Sequence, residues 1–488
     1  MSMKIQYRRS ADEIGNGTPI VKWRPNSHAL AVACPNQSVI YYDKKGNIID
    51  AVEMTGPVLD IAWDKEGDVL AIAQTSMSTI TLWDVNSRST DIVESGAAST
   101  KEVPTCMTWS PVSSTLVVGN NGGNLLVYNH RNSRKVSLMG KHQRSVAYVR
   151  ITNDDLIVSC SDDNTISKIG QVVRSGTTTQ TMISCILGKK ILMLADVTSL
   201  DNPVNLQFQE RYGNITSYSW YNDGYLSIGF DKGYIVSISA HQSELGSEIS
   251  SITEYKTYLG AVITSQSFDK VLSVGDNQIK IRELSQMNDM YIMSDVDTDN
   301  NLNDIQITDD GQLIAVTSIS GQLFVYVTKM PSLAAAYCNT IAYLTGLTQI
   351  TISADLDKKQ ITTLEIGIEP SLLGVGPMNF AVATNNQVFF YDFNFPTSPS
   401  LIIQQSSERV TFAEPINKSE YLATVTNVQL NSNFAAITTG NKLRLHKIRY
   451  SEENNVTIDF PEPSRNARLL SSALTDNFLI FSTDVRRS

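Results

Sequence analysis

"IAWDKEGDVLAIAQTSMSTITLWDV", residues 61–85, leads into a tryptophan, turns at Glu66-Gly67-Asp68 and closes on Trp83-Asp84. The residues between are short, alternating and β-branched, the pattern of paired strands rather than of a helix. The same grammar recurs along the chain. "LAVACPNQSVIYYD" begins at Leu30, "LAIAQTSMSTITLWD" at Leu70, "LVVGNNGGNLLVYN" at Leu116 and "LIVSCSDDNTISKI" at Leu156. "LSIGFDKGYIVSI" follows from Leu226, "VLSVGDNQIKIRE" from Val271 and "LIAVTSISGQLFVY" from Leu313. Each is an apolar strand, a turn of Gly, Asn, Asp or Ser, and a second alternating strand. Neighbouring anchors lie 40, 46 and 40 residues apart up to Leu156, then 45 and 42 from Leu226 to Leu313.

A self-similar period near 40–45 residues marks a WD-type β-propeller. Trp23, Trp63, Trp109 and Trp220 each precede their anchor by six or seven residues. They end an inner strand that turns back as the anchor strand, so each unit is a four-stranded blade. One blade cannot bury both faces, whereas a ring of blades can. The expected fold is all-β, with tandem WD-repeat propellers: a closed seven-bladed ring over residues 1–300 and a partial second propeller over 301–488. The N-terminal strand is expected to pair with the last blade of the first ring. "SDVDTDNNLND", residues 294–304, is the expected linker. Units at Leu313, Phe380, Phe434 and Phe478 fall to the second propeller, with extra strand-like material in "NTIAYLTGLTQITISA" and "QITTLEIGI". The closing "FSTDVRRS" reads as mid-blade, which predicts a second ring left incomplete in this chain. "MISCILGKKILMLADV" starts at Met182, 26 residues after Leu156, too soon for a full period. That spacing predicts residues absent between Ile169 and Met182.

Composition narrows the function. Asp and Glu number 49 against 39 Lys and Arg, a net charge of −10. This argues against a nucleic-acid surface, which gathers Lys and Arg on one face. The opening "MSMKIQYRRS" lacks the apolar core of a secretory signal, and no apolar run reaches the roughly 18 residues of a membrane span. Cys34, Cys106, Cys160, Cys185 and Cys338 are scattered, with no C-x-x-C pair. They read as buried thiols of a reducing, cytosolic compartment.

No motif supplies chemistry. Asp295, Asp297 and Asp299 sit at the first ligand positions of an EF-hand loop, but Asn300 replaces its glycine and Gln306 its bidentate glutamate. "GNNGGN", residues 119–124, joins two strands instead of opening a helix, and "LGKKIL", residues 187–192, lacks the rest of a phosphate loop. Both read as turns. His142 reads as a blade-internal residue holding Asp163, with Ile169 where a tryptophan usually completes the network. His28, His130, His241 and His446 are dispersed, and no G-x-S-x-G, H-E-x-x-H or Cys/His arrangement occurs. Hence no catalytic, cofactor-binding or metal-binding residue is expected, no cofactor, and no enzyme activity. Binding through loops on a stiff scaffold is what remains.

Six words stand in order along the chain: "WDKEGD" with "LA" after it, "LLVYNHRNSRKVSLMGKH" (125–142), "ISCILGKK" (183–190), "DNPVNLQFQ" (201–209), "DGQLIAV" (310–316) and "TKMP" followed by "NTIAYLT" (328–345). Together they resemble the N-terminal region of the one-hundred-and-forty-four-kilodalton subunit family of intraflagellar transport complex A, from about Pro19 to Asp484. The resemblance implies tandem propellers followed by a helical-repeat tail. It also implies a role in ciliary retrograde transport and in the entry of membrane proteins into cilia. Implied partners are the other complex A subunits and ciliary cargo adaptors, at the cilium, the ciliary base and the cytoplasm. No nucleic acid and no transmembrane segment is implied, and peripheral membrane proximity is compatible with it. Two other readings stay open: a vesicle-coat subunit of similar build, and a phosphoinositide-binding propeller carrying an F-R-R-G word. For the second, only Arg8-Arg9 in "YRRSAD" and Arg486-Arg487 offer an Arg pair.

Overall fold

The computed structural model describes residues 3–95, 102–163, 165–169, 182–196, 199–222, 224–285, 292–296, 302–328, 330–353, 361–393, 410–449, 457–461 and 467–484. Among them strands dominate, and the helical elements are one turn at Ala11–Ile14 and a 3-10 turn at Gln242–Glu244. The chain divides into two compact units, Met1–Lys329 and Met330–Ser488.

Among the described residues the first unit holds eight antiparallel sheets. The opening quotation supplies the second of them, Val58–Trp63, Val69–Gln74, Thr79–Asp84 and Ser89–Glu94, paired in that order. Its second strand is buried at every position and its fourth is almost wholly exposed. That gradient from Val-Leu-Ala-Ile to Ser-Thr-Asp is the sequence expression of a strand covered on both faces beside one at the rim. Core clusters join each sheet to the next. One around Ala31, Tyr41, Ile61, Leu70 and Trp83 links the first to the second, and one around Leu82, Met107, Trp109 and Leu126 links the second to the third. Fully burying such a side chain contributes about 1.5–3 kcal/mol. Indole N–H groups fix the spacing: Trp63 donates to the Lys22 carbonyl at 3.2 Å and Trp109 to the Ala62 carbonyl at 3.0 Å. Trp63 and Trp109 therefore pin their inner strands to the ones before them, Trp220 does so through the Ser184 hydroxyl at 2.7 Å, and the buried Trp23 indole N–H is left without a partner.

The N-terminal strand Lys4–Arg9 pairs antiparallel with Leu323–Val327, as the outer strand of the sheet built from Leu302–Ile307, Leu313–Ser318 and Leu323–Val327. A cluster of Tyr7, Leu30, Val32, Ala315, Leu323 and Val325 then packs that eighth sheet on the first. The expected pairing of the N-terminal strand with the last blade of the first unit is thus present, but it falls on the Leu313 unit and so corrects other expectations. The Leu313 unit belongs to the first unit, which holds eight sheets instead of seven, and the boundary lies at Lys329 instead of residue 300. The expected linker is a connection inside the first unit, between the strands Ile292–Asp295 and Leu302–Ile307. Local sequence shows hairpins, but a strand donated from 314 residues away, as in Arg9 opposite Leu323, leaves no local trace.

The Met182 hairpin gains a third strand, Ser199–Gln207, and forms the fifth sheet. The stretch 170–181, where missing residues were expected, lies outside the described residues. Cys34, Cys160 and Cys185 are buried and Cys106 is half-buried, but Cys338 is exposed, at the tight turn between Ala334–Tyr337 and Thr340–Gly346. The burial expected of all five therefore fails there.

In the second unit, Ala334–Tyr337, Thr340–Gly346, Gln349–Ser353 and Ile361–Glu365 form a sheet, to which Val410–Phe412 adds a fifth, parallel strand. Two four-stranded sheets and the hairpin Leu469–Leu474 with Leu479–Thr483 follow. The inner strands of both units share one irregularity. Ladders of seven sheets slip by one residue near the start, passing Leu59, Thr105, Ala147, Thr216, Asn303, Thr426 and Leu470. A bulge bends and twists a strand, so its recurrence at one place shows both units to be built from the same structural word.

Inter-sheet packing depends on the absence of a side chain at Gly119. A Cβ there would meet Val146 Cγ1 at 2.6 Å and Cys106 Sγ at 2.8 Å. Gly119→Ala is therefore expected to destabilise the first unit by about 1–3 kcal/mol in urea unfolding, as overpacked cores do. Adding Val146→Ala should return part of that loss. Strictly additive penalties would contradict this contact.

Candidate functional site

Two places gather polar side chains: the inner strands and the hairpin tips. On the inner strands, Lys22, Asp60 and Asp304 come from three different sheets. Asp60 and Asp304 each follow a bulge, and each carboxylate accepts the next residue's N–H, from Ile61 at 2.9 Å and Ile305 at 2.8 Å. Burial raises both carboxyls above the usual range, and the Lys22 charge opposes that rise in each. Lys22 thus acts on an acid of the sheet on either side of its own. Nearby inner positions carry hydroxyls that cross between sheets, as in Val262 N–H to Ser217 Oγ at 2.7 Å and Tyr218 Oη to the Ser184 carbonyl at 2.9 Å.

The hairpin tips hold the loops that enter their own sheets. Asp276 accepts the N–H groups of Lys256, Thr257 and Tyr258 at 2.7–2.9 Å, and also the Thr257 hydroxyl. Burial raises its carboxyl, but these four donors outweigh it and leave it below the usual range. Asp231 accepts the Asn214 N–H and side-chain amide at 2.9 and 2.7 Å, and Gln74 accepts the Gly56 N–H at 2.9 Å. Reading the sequence missed these residues individually. An Asp or Gln ending or directly following these anchor strands was the available signal.

His142 belongs to the same device. Its Nδ1 lies 2.8 Å from Thr165 Oγ1 and its Nε2 2.8 Å from Ser159 Oγ. The Thr165 hydroxyl donates to Asp163 at 2.5 Å, which leaves its oxygen to accept from the imidazole N–H. Burial favours the neutral ring, in which Nε2 accepts the Ser159 hydroxyl. Burial pushes the His142 value down, with Asp163 pulling against it. Burial also raises Asp163, but the Thr165 hydroxyl and the N–H groups of Gln143 and Thr165 hold it down at about 2. The expected His142–Asp163 link exists, but Nδ1 is 3.7 Å from the carboxylate and Thr165 completes it. Ile169, where a tryptophan was the expected third member, packs instead among Val117, Val149 and Ile157.

The remaining candidates have structural employment. His28 Nε2 meets Asp310 at 2.8 Å, His446 Nε2 meets the Tyr421 hydroxyl at 2.6 Å, and His130 and His241 lie edge-on to Trp109 and Tyr225. Gly123 in "GNNGGN" has φ +81 in a hairpin tip, where a Cβ would meet the His142 carbonyl at 2.4 Å. "LGKKIL" is the turn between Met182–Leu187 and Ile191–Asp196. Asp295 ends a strand and accepts Gln278 Nε2 at 2.9 Å, while Asp297 and Asp299 lie outside the described residues. Among the described residues, no group of three or more His, Cys, Asp or Glu is placed to hold a metal ion, and no helix is long and apolar enough to cross a membrane.

The His142 arrangement yields a pH dependence. Both His142 and Asp163 have folded values below their unfolded ones, so their stabilisation is present above those unfolded values and is lost on acidification. Urea unfolding is expected to weaken from about pH 7 to about pH 5 as the neutral ring is forced to charge, and again below about pH 4 as Asp163 is protonated. His142→Leu should cost about 1–3 kcal/mol at neutral pH by stranding the Ser159 and Thr165 hydroxyls. It should also flatten the upper part of that profile. An unchanged profile in the variant would contradict the assignment.

Comparison with known families places this architecture. A model described as the WDR19 first beta-propeller matches residues 19–172 and 168–321, and one described as the WDR19 second beta-propeller matches 341–487. The gap between the two models brackets the division of the chain at Lys329. WD repeat-containing protein dyf-2 of Caenorhabditis elegans is 54% identical over 99% of this chain and 37% of its own length. WD repeat-containing protein 19 of Mus musculus and of Homo sapiens are each 34% identical over 96% of this chain and 36% of theirs. The chain thus spans a little over a third of the length of the curated relatives it matches. Repeated four-stranded sheets, tryptophans bonded from one inner strand to the last, and two matching propeller models in register lead to one conclusion: the chain belongs to the WDR19 β-propeller family.

Proposed function

We propose that this chain is a non-enzymatic scaffold and interaction subunit of intraflagellar transport complex A. In this reading it supports ciliary retrograde transport and the entry of membrane proteins into cilia. Its partners are the other complex A subunits and ciliary cargo adaptors, and it works at the cilium, the ciliary base and in the cytoplasm. The observation that carries the reading is the joint match of both units, in order, to the first and second propellers of one family. The geometry agrees with it. His142 and Asp163 are spent on tying a loop to its blade. A rigid frame that presents loops is what a docking subunit needs.

The phosphoinositide reading finds little support in the Arg pair at the N terminus. Arg9 lies 5.3 Å from the Tyr42 ring centroid, donates to the Gly46 carbonyl and pairs with Glu13 at 3.8 Å, so it serves the eighth-to-first junction. A single remaining exposed Arg8 is a weak lipid anchor, since basic residues near an anionic leaflet contribute only about 1 kcal/mol each.

Affinity capture of the tagged chain from ciliated cells tests the proposal. Recovery of complex A subunits is the expected result, together with ciliary localisation of the tagged chain. Recovery of vesicle-coat subunits in their place would favour the neighbouring reading, and recovery of neither would contradict a docking role for these two units.

A further inference from the structure

We propose that the outer edge of the third sheet, the strand Arg134–Leu138 with its flanking turns, is a docking edge for an acidic, extended segment of a partner protein. The proposal rests on the scaffold reading and adds the chemistry of one partner. Residues 129–144, "NHRNSRKVSLMGKHQR", hold Arg131, Arg134, Lys135, Lys141 and Arg144 and not one carboxylate, in a chain of net charge −10. All five are exposed, and none makes a side-chain hydrogen bond or ion pair with any described residue. Three other outer strands of this unit have the opposite sign: Ile48–Glu53 carries Asp50 and Glu53, Ser89–Glu94 carries Asp91 and Glu94, and Glu248–Thr253 carries Glu248, all without a Lys or Arg, while the short Ile166–Ile169 holds the single Lys168. The basic outer strand Lys4–Arg9 differs, because Arg9 is taken up by Gly46 and Glu13.

The strand also offers a backbone. It pairs with Leu125–Asn129 on one side, from Leu125 opposite Leu138 to Asn129 opposite Arg134, and is the last strand of its sheet. An unpaired strand edge is a template for another strand, and charged side chains decide which strand is admitted. Val136 at 40% and Met139 at 52% exposure supply apolar contact between the cations. A membrane fits less well, since a flat anionic surface would face the whole acidic molecule, whereas one extended segment engages the edge alone.

The test uses the whole 488-residue chain and a fluorescein-labelled peptide of alternating Glu and Val, with a Lys/Val peptide and phosphatidylserine vesicles as comparisons. The acidic peptide is expected to bind, and its affinity to fall about tenfold or more in the triple variant Arg131→Glu, Arg134→Glu, Lys135→Glu. Amide exchange at Arg134–Leu138 should slow on binding, while that at Ser89–Glu94 should not. If the triple variant proves misfolded by circular dichroism, Arg134→Gln with Lys135→Gln should still weaken binding several-fold. Equal binding by wild type and folded variant, protection elsewhere, or binding to vesicles without binding to the peptide would each overturn the proposal. A wild-type chain that recovers complex A subunits yet binds no acidic peptide would overturn this edge alone. One that binds the peptide but recovers no subunit would uphold the edge and remove the scaffold reading.

Discussion

The antiparallel pairing of Lys4–Arg9 with Leu323–Val327 is the contact on which the first unit depends. Every other sheet there is assembled from residues close in sequence, so each forms by local hairpin closure. The eighth alone takes its outer strand from the far end. That strand also brings Tyr7 into the cluster with Leu30 and Leu323, which packs the eighth sheet on the first. Long-range pairing of this kind costs loop-closure entropy before it returns any contact. The Arg24–His28 loop secures the same junction from another side, with Asn26 N–H on Asp309, His28 on Asp310, and Arg24 reaching forward to Asp68. One loop therefore binds three neighbouring sheets.

The polar interior has a consistent logic. Buried donors and acceptors that go unpaired cost about 1–3 kcal/mol each, and the chain answers with one motif: an acidic or amide side chain at a hairpin tip that gathers the N–H groups of the entering loop. Asp276, Asp231, Asp163 and Gln74 are versions of it. The loops are thereby held rigid from beneath, and their outer positions stay available for partners.

Much of this was legible in the sequence, for reasons that differ by element. The hairpins at Leu30, Leu70, Leu116, Leu156, Leu226 and Val271 announce themselves through alternation and turn residues, since both are local properties. The tryptophans were legible as periodic markers, although their indole bonds to the previous inner strand were not. The N-terminal closing strand was expected, but the eighth sheet was misassigned because nothing near Leu323 marks that unit as the one it joins. The shortfall expected between Ile169 and Met182 came from spacing alone, and that stretch lies outside the described residues. At His142 the pattern revealed the His–Asp relation but not Thr165 and Ser159, whose hydroxyls mediate it, because a small hydroxyl in a strand has no distinctive signal. Cys338 escaped the burial habit of cysteine because it occupies a turn with φ +50.

The central claim, that one strand from the N terminus fastens the first unit, is tested most directly by hydrogen exchange on a chain lacking residues 1–9. The account predicts that amides of Leu323–Val327 and Leu313–Ser318 lose most of their protection, while Asn379–Ala383 in the second unit keeps its own. Undiminished protection across Leu323–Val327 in the shortened chain would contradict it.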